Sequence, residues 1–273
     1  MTLPIDQIIC GDCLEVMPGL PDGCADMILA DPPYGTTACK WDSVIPLEPM
    51  WKQLKRIIKS NGAIVMTASQ PFTTTLIASN MKMFHCEWIW YKSKPSGIAF
   101  KFQPMRNHES ILVFGNVETF NGILEEREGF TEKSIKRFTS KQNLGTYRNH
   151  GNSTTGIGCN KLKAITRQRK PTTIKKFASI PNRLGTFHPT QKPVSLMEYL
   201  IKTYTNEGEL VLDFTCGSGT TCKAAQNLGR RFIGIDISEE YCDISRRRLK
   251  GIKLTLFEKS KKKKVRNSLG LTK

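Results

Sequence analysis

No apolar run in this 273-residue sequence approaches the roughly 18 to 20 residues that a membrane-spanning helix needs. The first residues, Met1-Thr2-Leu3-Pro4-Ile5-Asp6, lack the basic and apolar regions of a secretory signal. The nine cysteines are odd in number and scattered, and a chain this long needs no disulfide staples. The one CxxC, Cys10-Gly11-Asp12-Cys13, has no second pair to complete a zinc site, so a strand end is its simplest reading. His85, His108, His150 and His188 form no metal-ligating pattern, and no metal is expected. There is no internal repeat. Together these absences exclude a membrane-spanning or disulfide-framed protein and leave a cytoplasmic one as the simplest expectation.

Acidic charge is the other shortage. Lys and Arg total 41 against 24 Asp and Glu, a net charge of +17. Between Lys133 and Phe187 stand 13 Lys or Arg and no acid, and a second basic block, Lys259 to Lys264 with Arg266, lies near the end. An imbalance this large points to a polyanionic partner. No amphipathic apolar face accompanies the charge, which favours nucleic acid over a membrane surface.

What is present divides the chain by pattern. Residues 1–116 alternate short apolar strands with helical stretches. Strands are expected at Asp26–Ala30, Ala63–Met66, Glu87–Tyr91 and Ser110–Phe114. Residues 47–59 place Leu47, Met50, Trp51, Leu54, Ile57 and Ile58 on one helical face, with Asn61-Gly62 as the stop. In the strand around Trp88 and Trp90, core packing is expected for at least one face. Residues 117–187 are rich in Thr, Asn, Gly, Lys and Arg with no apolar period. They read as a disordered insertion or, preferably, as a surface module that orders on nucleic acid. Phe100, Phe102 and Tyr147 lie among basic residues and are candidate wedges for DNA. The rhythm resumes over 188–258, with strands Glu209–Asp213 and Arg231–Asp236, and residues 259–273 read as a basic, disordered tail. The fold class that follows is α/β, with a mainly parallel, doubly wound sheet.

Two constellations carry chemistry. In the second half, a strand ending in Asp213 leads through Cys216-Gly217-Ser218-Gly219 into a helix, and the next strand ends in Asp236. Small residues let a ligand approach the backbone at the helix start, and an acid about 20 residues on is placed for ribose hydroxyls. A dinucleotide fingerprint would want a third glycine where Cys222 stands, which argues against a dehydrogenase. In the first half, a buried strand ends in Asp31-Pro32-Pro33-Tyr34-Gly35. Two prolines remove N–H donors and leave the Asp31 carboxylate and the Pro32 carbonyl as paired acceptors beside the Tyr34 ring. A planar group bearing an amino donor, such as a flipped base, fits that pair. A rigid strand-ending turn is the simpler alternative.

Asp31-Pro32-Pro33-Tyr34 resembles the catalytic motif of the amino-group DNA methyltransferases, which act on adenine N6 or cytosine N4. Val211 to Thr221 resembles their cofactor motif, and His188-Pro189-Thr190-Gln191-Lys192-Pro193 the segment before it. Gly11 to Leu14 and Arg106-Asn107-His108-Glu109 also match family stretches. The likeness covers about residues 7–116 and 188–250. Its order, catalytic motif first, is similar to the circularly permuted beta class. One departure is Phe214-Thr215, where the family usually has Pro-Phe, so the aromatic flanking the cofactor comes from Phe214 or from another position.

The resemblance implies a Rossmann-like, S-adenosyl-L-methionine-dependent fold with an inserted basic target-recognition region. Asp31, Pro32, Pro33 and Tyr34 would be catalytic. Asp213, Phe214, Gly217, Ser218, Gly219, Thr220 and Thr221 would hold the methionine end of the cofactor. Asp236 and Ile237 would meet the ribose, Asp12 and Cys13 would lie near the adenine, and His188, Thr190 and Lys192 would complete the pocket with Asp31. Double-stranded DNA would contact Lys141, Arg148, Lys163, Arg167, Arg169, Lys170, Lys175 and Lys176. Asp at position 31, commoner in adenine enzymes than the Ser of cytosine-N4 enzymes, implies adenine N6. Cytosine N4, or an RNA or protein nitrogen, is the alternative. A homodimer and a cognate restriction endonuclease are also compatible with the family.

Overall fold

The computed structural model describes residues 3–36, 42–96, 104–126, 168–179 and 191–252. Most of them belong to one unit, formed from residues before Gly122 and after Thr172. Its elements in chain order are β1 (Gln7–Cys10), α1 (Cys13–Val16), β2 (Ala25–Ala30), α2 (Leu47–Ile57), β3 (Ile58–Ala68), α3 (Phe72–Ser79), β4 (Phe84–Ser96) and β5 (Arg106–Phe114). The order continues, with β6 and β7 assigned to the second unit, through β8 (Ile174–Phe177), α4 (Val194–Tyr204), β9 (Leu210–Asp213), α5 (Thr220–Asn227), β10 (Arg231–Asp236) and α6 (Glu239–Leu249). No described helix is long and apolar enough to cross a membrane.

Eight strands form one sheet in the order β1-β10-β9-β2-β3-β5-β4-β8. Pairing is parallel except at β3·β5 and β5·β4. The core lies on both faces, and the strand period of two sorts it. Ile28, Ile64, Met66, Leu112, Phe114, Leu212 and Ile235 point to one side, where Met50, Trp51 and Leu54 of α2 and Phe72 and Leu76 of α3 cover them. Met27, Leu29, Val65, Ile111, Val113 and Val211 point to the other, under Leu196, Met197, Leu200 and Ile201 of α4 and Ala224 and Ala225 of α5. Central strands covered on both faces read as unbroken apolar runs, which is why β2 was legible as Met-Ile-Leu-Ala.

Three boundaries differ from expectation. The helix over 47–59 stops at Ile57, and Ile58 already has extended backbone. Asn61-Gly62 does not end it but lies inside β3, where the register against β2 jumps from Ala25↔Ile58 to Met27↔Ala63. Glycine is required there, because a Cβ on Gly62 would meet the Asp26 carbonyl oxygen at 2.7 Å. Strands β4 and β5 also run well past their apolar centres. Their outer halves pair with each other through backbone ladders such as Tyr91↔His108 and Ser96↔Arg106, which leave no hydrophobic signature. Finally Ile174–Phe177, within the stretch read as insertion, joins the large sheet beside β4.

The second unit spans Gly122–Thr172. Its described part is a short antiparallel pair, β6 (Glu125–Glu126) with β7 (Gln168–Arg169), where Arg169 Nε lies 3.5 Å from Glu125 Oε2.

Candidate active site

The sheet has a point where successive connections leave in opposite directions. From β9 the chain moves to β10, on the side of β1; from β2 it moves to β3, on the other side. The crevice at the carboxyl ends of β9 and β2 is where open α/β sheets bind ligands. Three carboxylates stand at these strand ends: Asp213 closes β9, Asp236 closes β10 and Asp31 follows β2.

Asp31 is held on both oxygens. The hydroxyls of Tyr34 (2.7 Å) and Thr67 donate to Oδ1, and the Lys192 ammonium donates to Oδ2 at 2.6 Å. Burial pushes this carboxyl up, but the Lys192 charge with the bonds from Lys192, Thr67 and Tyr34 outweighs it, and the net shift is below the usual carboxylate value. Asp31 is therefore a charged acceptor at neutral pH. Lys192 is buried, lies 3.5 Å from Glu109 Oε2 as well, and its pKa is raised because the two carboxylates outweigh its desolvation. The turn itself is fixed by Asp42, whose carboxylate accepts the Gly35 and Thr36 backbone N–H groups at 2.9 and 3.0 Å. The Tyr34 ring stacks on Phe72, with centroids 5.4 Å apart, so part of its surface is already covered.

The glycine turn is built against β10 and α6. Gly217 N donates to Asp236 Oδ2 at 2.7 Å and Ser238 N to Oδ1 at 2.9 Å. Gly217 and Gly219 have φ of 49° and 73°, and a Cβ on Gly219 would sit 2.7 Å from Ser245 Oγ. Ser245 Oγ donates to the Gly217 carbonyl, and Arg248 donates to Ser218 Oγ at 3.0 Å. Thr220 and Thr221 are buried in the first turn of α5. The Thr215 hydroxyl is buried with no hydrogen-bond partner among the described residues. Gly11 N donates to the Asp236 carbonyl, which brings Asp12 alongside; its carboxylate caps α1 through Leu14 N at 2.8 Å.

Asp213 is strongly perturbed. Burial, with repulsion from Asp31 and Asp236, raises it to about 7, against bonds from Thr221 and the Thr215 backbone that lower it. From the ordinary value of 3.8 up to about 7, the folded chain keeps a proton that the unfolded chain has lost. Folding binds that proton, so this group's contribution to stability is lost progressively as pH rises through that window. Asp213→Asn is expected to remove this slope. Melting temperatures of both proteins from pH 5 to pH 8 test it; parallel curves would refute the assignment.

The other residues singled out in the sequence lie in differing surroundings. Phe214 is 1% exposed and packs into the core. Cys13 is also buried in the core, its thiol pushed up to about 11 by burial. Ile237 is 70% exposed beyond the end of β10. Lys175, expected on DNA, is 6% exposed, with its ammonium 5.1 and 5.2 Å from the Trp88 and Tyr199 ring centres and its pKa lowered to about 8 by burial. Lys176, Arg169 and Lys170 are exposed, Arg169 beside Glu125. His188, Thr190, Lys141, Arg148, Lys163 and Arg167, with Phe100, Phe102 and Tyr147, lie outside the described residues. Thr67, Asp42, Ser245 and Arg248 were missed. Only Thr67 gave a signal, as the one polar residue near the end of a buried run.

A DNA methylase family model, that of the N6 and N4 enzymes, matches residues 25–247. The DNA adenine methyltransferase YhdJ of Escherichia coli (strain K12) is 30% identical over 263 residues, covering 89% of this chain and 82% of that protein. The fold is similar to that of the M1.HpyAVI complex with S-adenosylmethionine, with a TM-score of 0.56 and 23% identity over 89% of this chain and 99% of that one. It is also similar to the cytosine-N4-specific PvuII DNA methyltransferase, with a TM-score of 0.58 and 16% identity over 93% and 96%. The chain thus belongs to the N6/N4 DNA methylase family: it is a site-specific DNA methyltransferase with the catalytic motif ahead of the cofactor motif, and S-adenosyl-L-methionine is its methyl donor.

Proposed function

We propose that this methyltransferase modifies the N6 amino group of an adenine turned out of double-stranded DNA. The observation that carries the reading is Asp31, an ionised carboxylate at the switch point, next to a proline pair that leaves a carbonyl as second acceptor. An exocyclic amino group donates two hydrogens, and two fixed acceptors orient its lone pair away from both. The negative charge of Asp31 also favours the positive charge that develops on nitrogen as the new bond forms. Tyr34, braced by Phe72, supplies an aromatic edge for the extruded base, whose unstacking costs a few kcal/mol.

The residues present suit the cofactor. Asp213, pushed up to about 7, and Asp236 with Asp31 crowd three acids whose ionisation a cation favours, and the glycine turn keeps Cβ atoms away from the start of α5. The unpartnered Thr215 hydroxyl adds a polar contact in the same turn. Asp236 would take ribose hydroxyls and Asp12 would stand near the adenine ring, while Asp213, Gly217, Ser218, Gly219, Thr220 and Thr221 would hold the methionine end. S-adenosylmethionine, when bound, supplies an electrophilic methyl group on sulfur. The chain needs no cysteine nucleophile, because the amino nitrogen attacks directly once placed.

Adenine is preferred over cytosine because Asp31 stands where cytosine-N4 enzymes commonly carry Ser, an argument by analogy. The exposed cations Arg169, Lys170 and Lys176 and the acid-free stretch around them would supply phosphate and base contacts. Duplex DNA incubated with labelled cofactor, digested and separated into nucleosides, is expected to yield label in N6-methyladenine. Label in N4-methylcytosine would overturn the base assignment, and label in RNA or protein alone would overturn the substrate.

A further inference from the structure

The two oxygens of Asp31 keep different company. Oδ1 already receives two hydroxyls, while among the described residues Oδ2 receives only the Lys192 ammonium. On the reading that Asp31 accepts the target amino group, Oδ2 is the oxygen left for it. There the ammonium competes for the acceptor and places a like charge beside a nitrogen that becomes positive as it is methylated. The Lys192 side chain is only 7% exposed, so its charge does not leave for water.

A second acceptor stands within reach. Glu109 Oε2, on β5, is 3.5 Å from Lys192 Nζ, buried, and without a hydrogen bond among the described residues. The other Glu109 oxygen is engaged by Lys92. A buried carboxylate oxygen without a bond calls for a reason. A small rotation of the Lys192 side chain would satisfy it while freeing Asp31.

We propose that Glu109 is a positioning residue for methyl transfer, taking the Lys192 ammonium from Asp31 when the target amino group arrives. Lys192 then holds the place of that amino group before the base arrives and stays neutralised after yielding it. The handover moves no proton: Lys192 remains an ammonium throughout. This rests on the assignment of Asp31 as the acceptor.

The test is single-turnover methylation of unmethylated duplex DNA with tritiated S-adenosylmethionine. Glu109→Gln is expected to slow transfer by about ten- to a hundredfold, with S-adenosylhomocysteine affinity by calorimetry unchanged. Glu109→Asp, which returns a carboxylate to the Lys192 ammonium, should restore part of the rate. A merely structural Glu109 would give rates in the two variants that simply follow their melting temperatures. If Glu109→Gln does not fold, Glu109→Ala takes its place in the comparison. Wild-type rate in Glu109→Gln, or Glu109→Asp no faster than Glu109→Gln, overturns the proposal. An Asp31→Ala protein as fast as the wild type would instead overturn the acceptor assignment beneath it.

Discussion

Asp31→Ala is expected to lower the methyl-transfer rate by about 10²- to 10³-fold, the usual cost of removing one preorganised electrostatic partner. The expectation follows from what the carboxylate does and does not touch. It faces Tyr34, Thr67 and Lys192, and its charge persists at neutral pH. On the proposed placement, the glycine turn and Asp236 would carry most cofactor contacts, so affinity for S-adenosylhomocysteine should change little. Folding should suffer as well. Removing one member of a buried ion pair typically costs about 3–5 kcal/mol, and here the loss should be smaller because Glu109 remains near Lys192. Asp31→Asn separates the two effects, keeping the shape while removing the charge. Rate and melting temperature measured on both variants decide the matter. A wild-type rate for Asp31→Ala would show that the active site lies elsewhere.

Gly219→Ala is expected to cripple cofactor binding from the other side of the site. At φ 73° the backbone is left-handed, which costs a non-glycine residue about 1–2 kcal/mol. The added methyl would also meet Ser245 Oγ at 2.7 Å and Cβ at 2.9 Å. Overpacking of this kind adds about 1–3 kcal/mol. Ser245 cannot simply turn away, since it is fully buried and bonded to the Gly217 carbonyl. The turn should therefore shift, and S-adenosylmethionine should bind at least about tenfold more weakly, each 1.4 kcal/mol being a factor of ten. Adding Ser245→Gly should recover part of the lost melting temperature but not the backbone strain. Calorimetric affinities and thermal melts of the three proteins test this, and unchanged binding in Gly219→Ala would refute it.

The parts of the site that lie along one strand and its following turn were legible in sequence. Asp31-Pro32-Pro33-Tyr34 and Asp213 to Thr221 are local patterns whose chemistry depends on neighbouring residues. What surrounds them was not legible, because it arrives from distant chain segments. Lys192 reaches Asp31 across 161 positions and Thr67 across 36. Glu109 was visible as part of a family stretch, yet nothing local tied it to Lys192. Core residues hid in the same way. Phe214 looks like a ligand-facing aromatic in sequence, yet it belongs to the buried core cluster on one face of the sheet. Lys175 sits in a basic segment and reads as a surface charge, but strand alternation turns it inward while Ile174 and Lys176 face out. Edge strand β8 escaped because its Ile-Lys-Lys-Phe pattern has too few apolar residues to announce a strand.

The strand order carries a consequence for how the chain is made. Strands β1 and β2 are close in sequence but separated in the sheet by β10 and β9. Among the described residues β1 pairs only with β10, and Ile28 of β2 pairs with Leu212 on its inner side. At bacterial-type synthesis rates of roughly 5–20 residues per second, those partners leave the ribosome about ten to forty seconds later. For that interval β2 carries an open apolar edge, the kind of template that draws foreign strands. The residues made during that interval include 133–187, with 13 Lys or Arg and no acid, and like charge of that density opposes association of neighbouring chains.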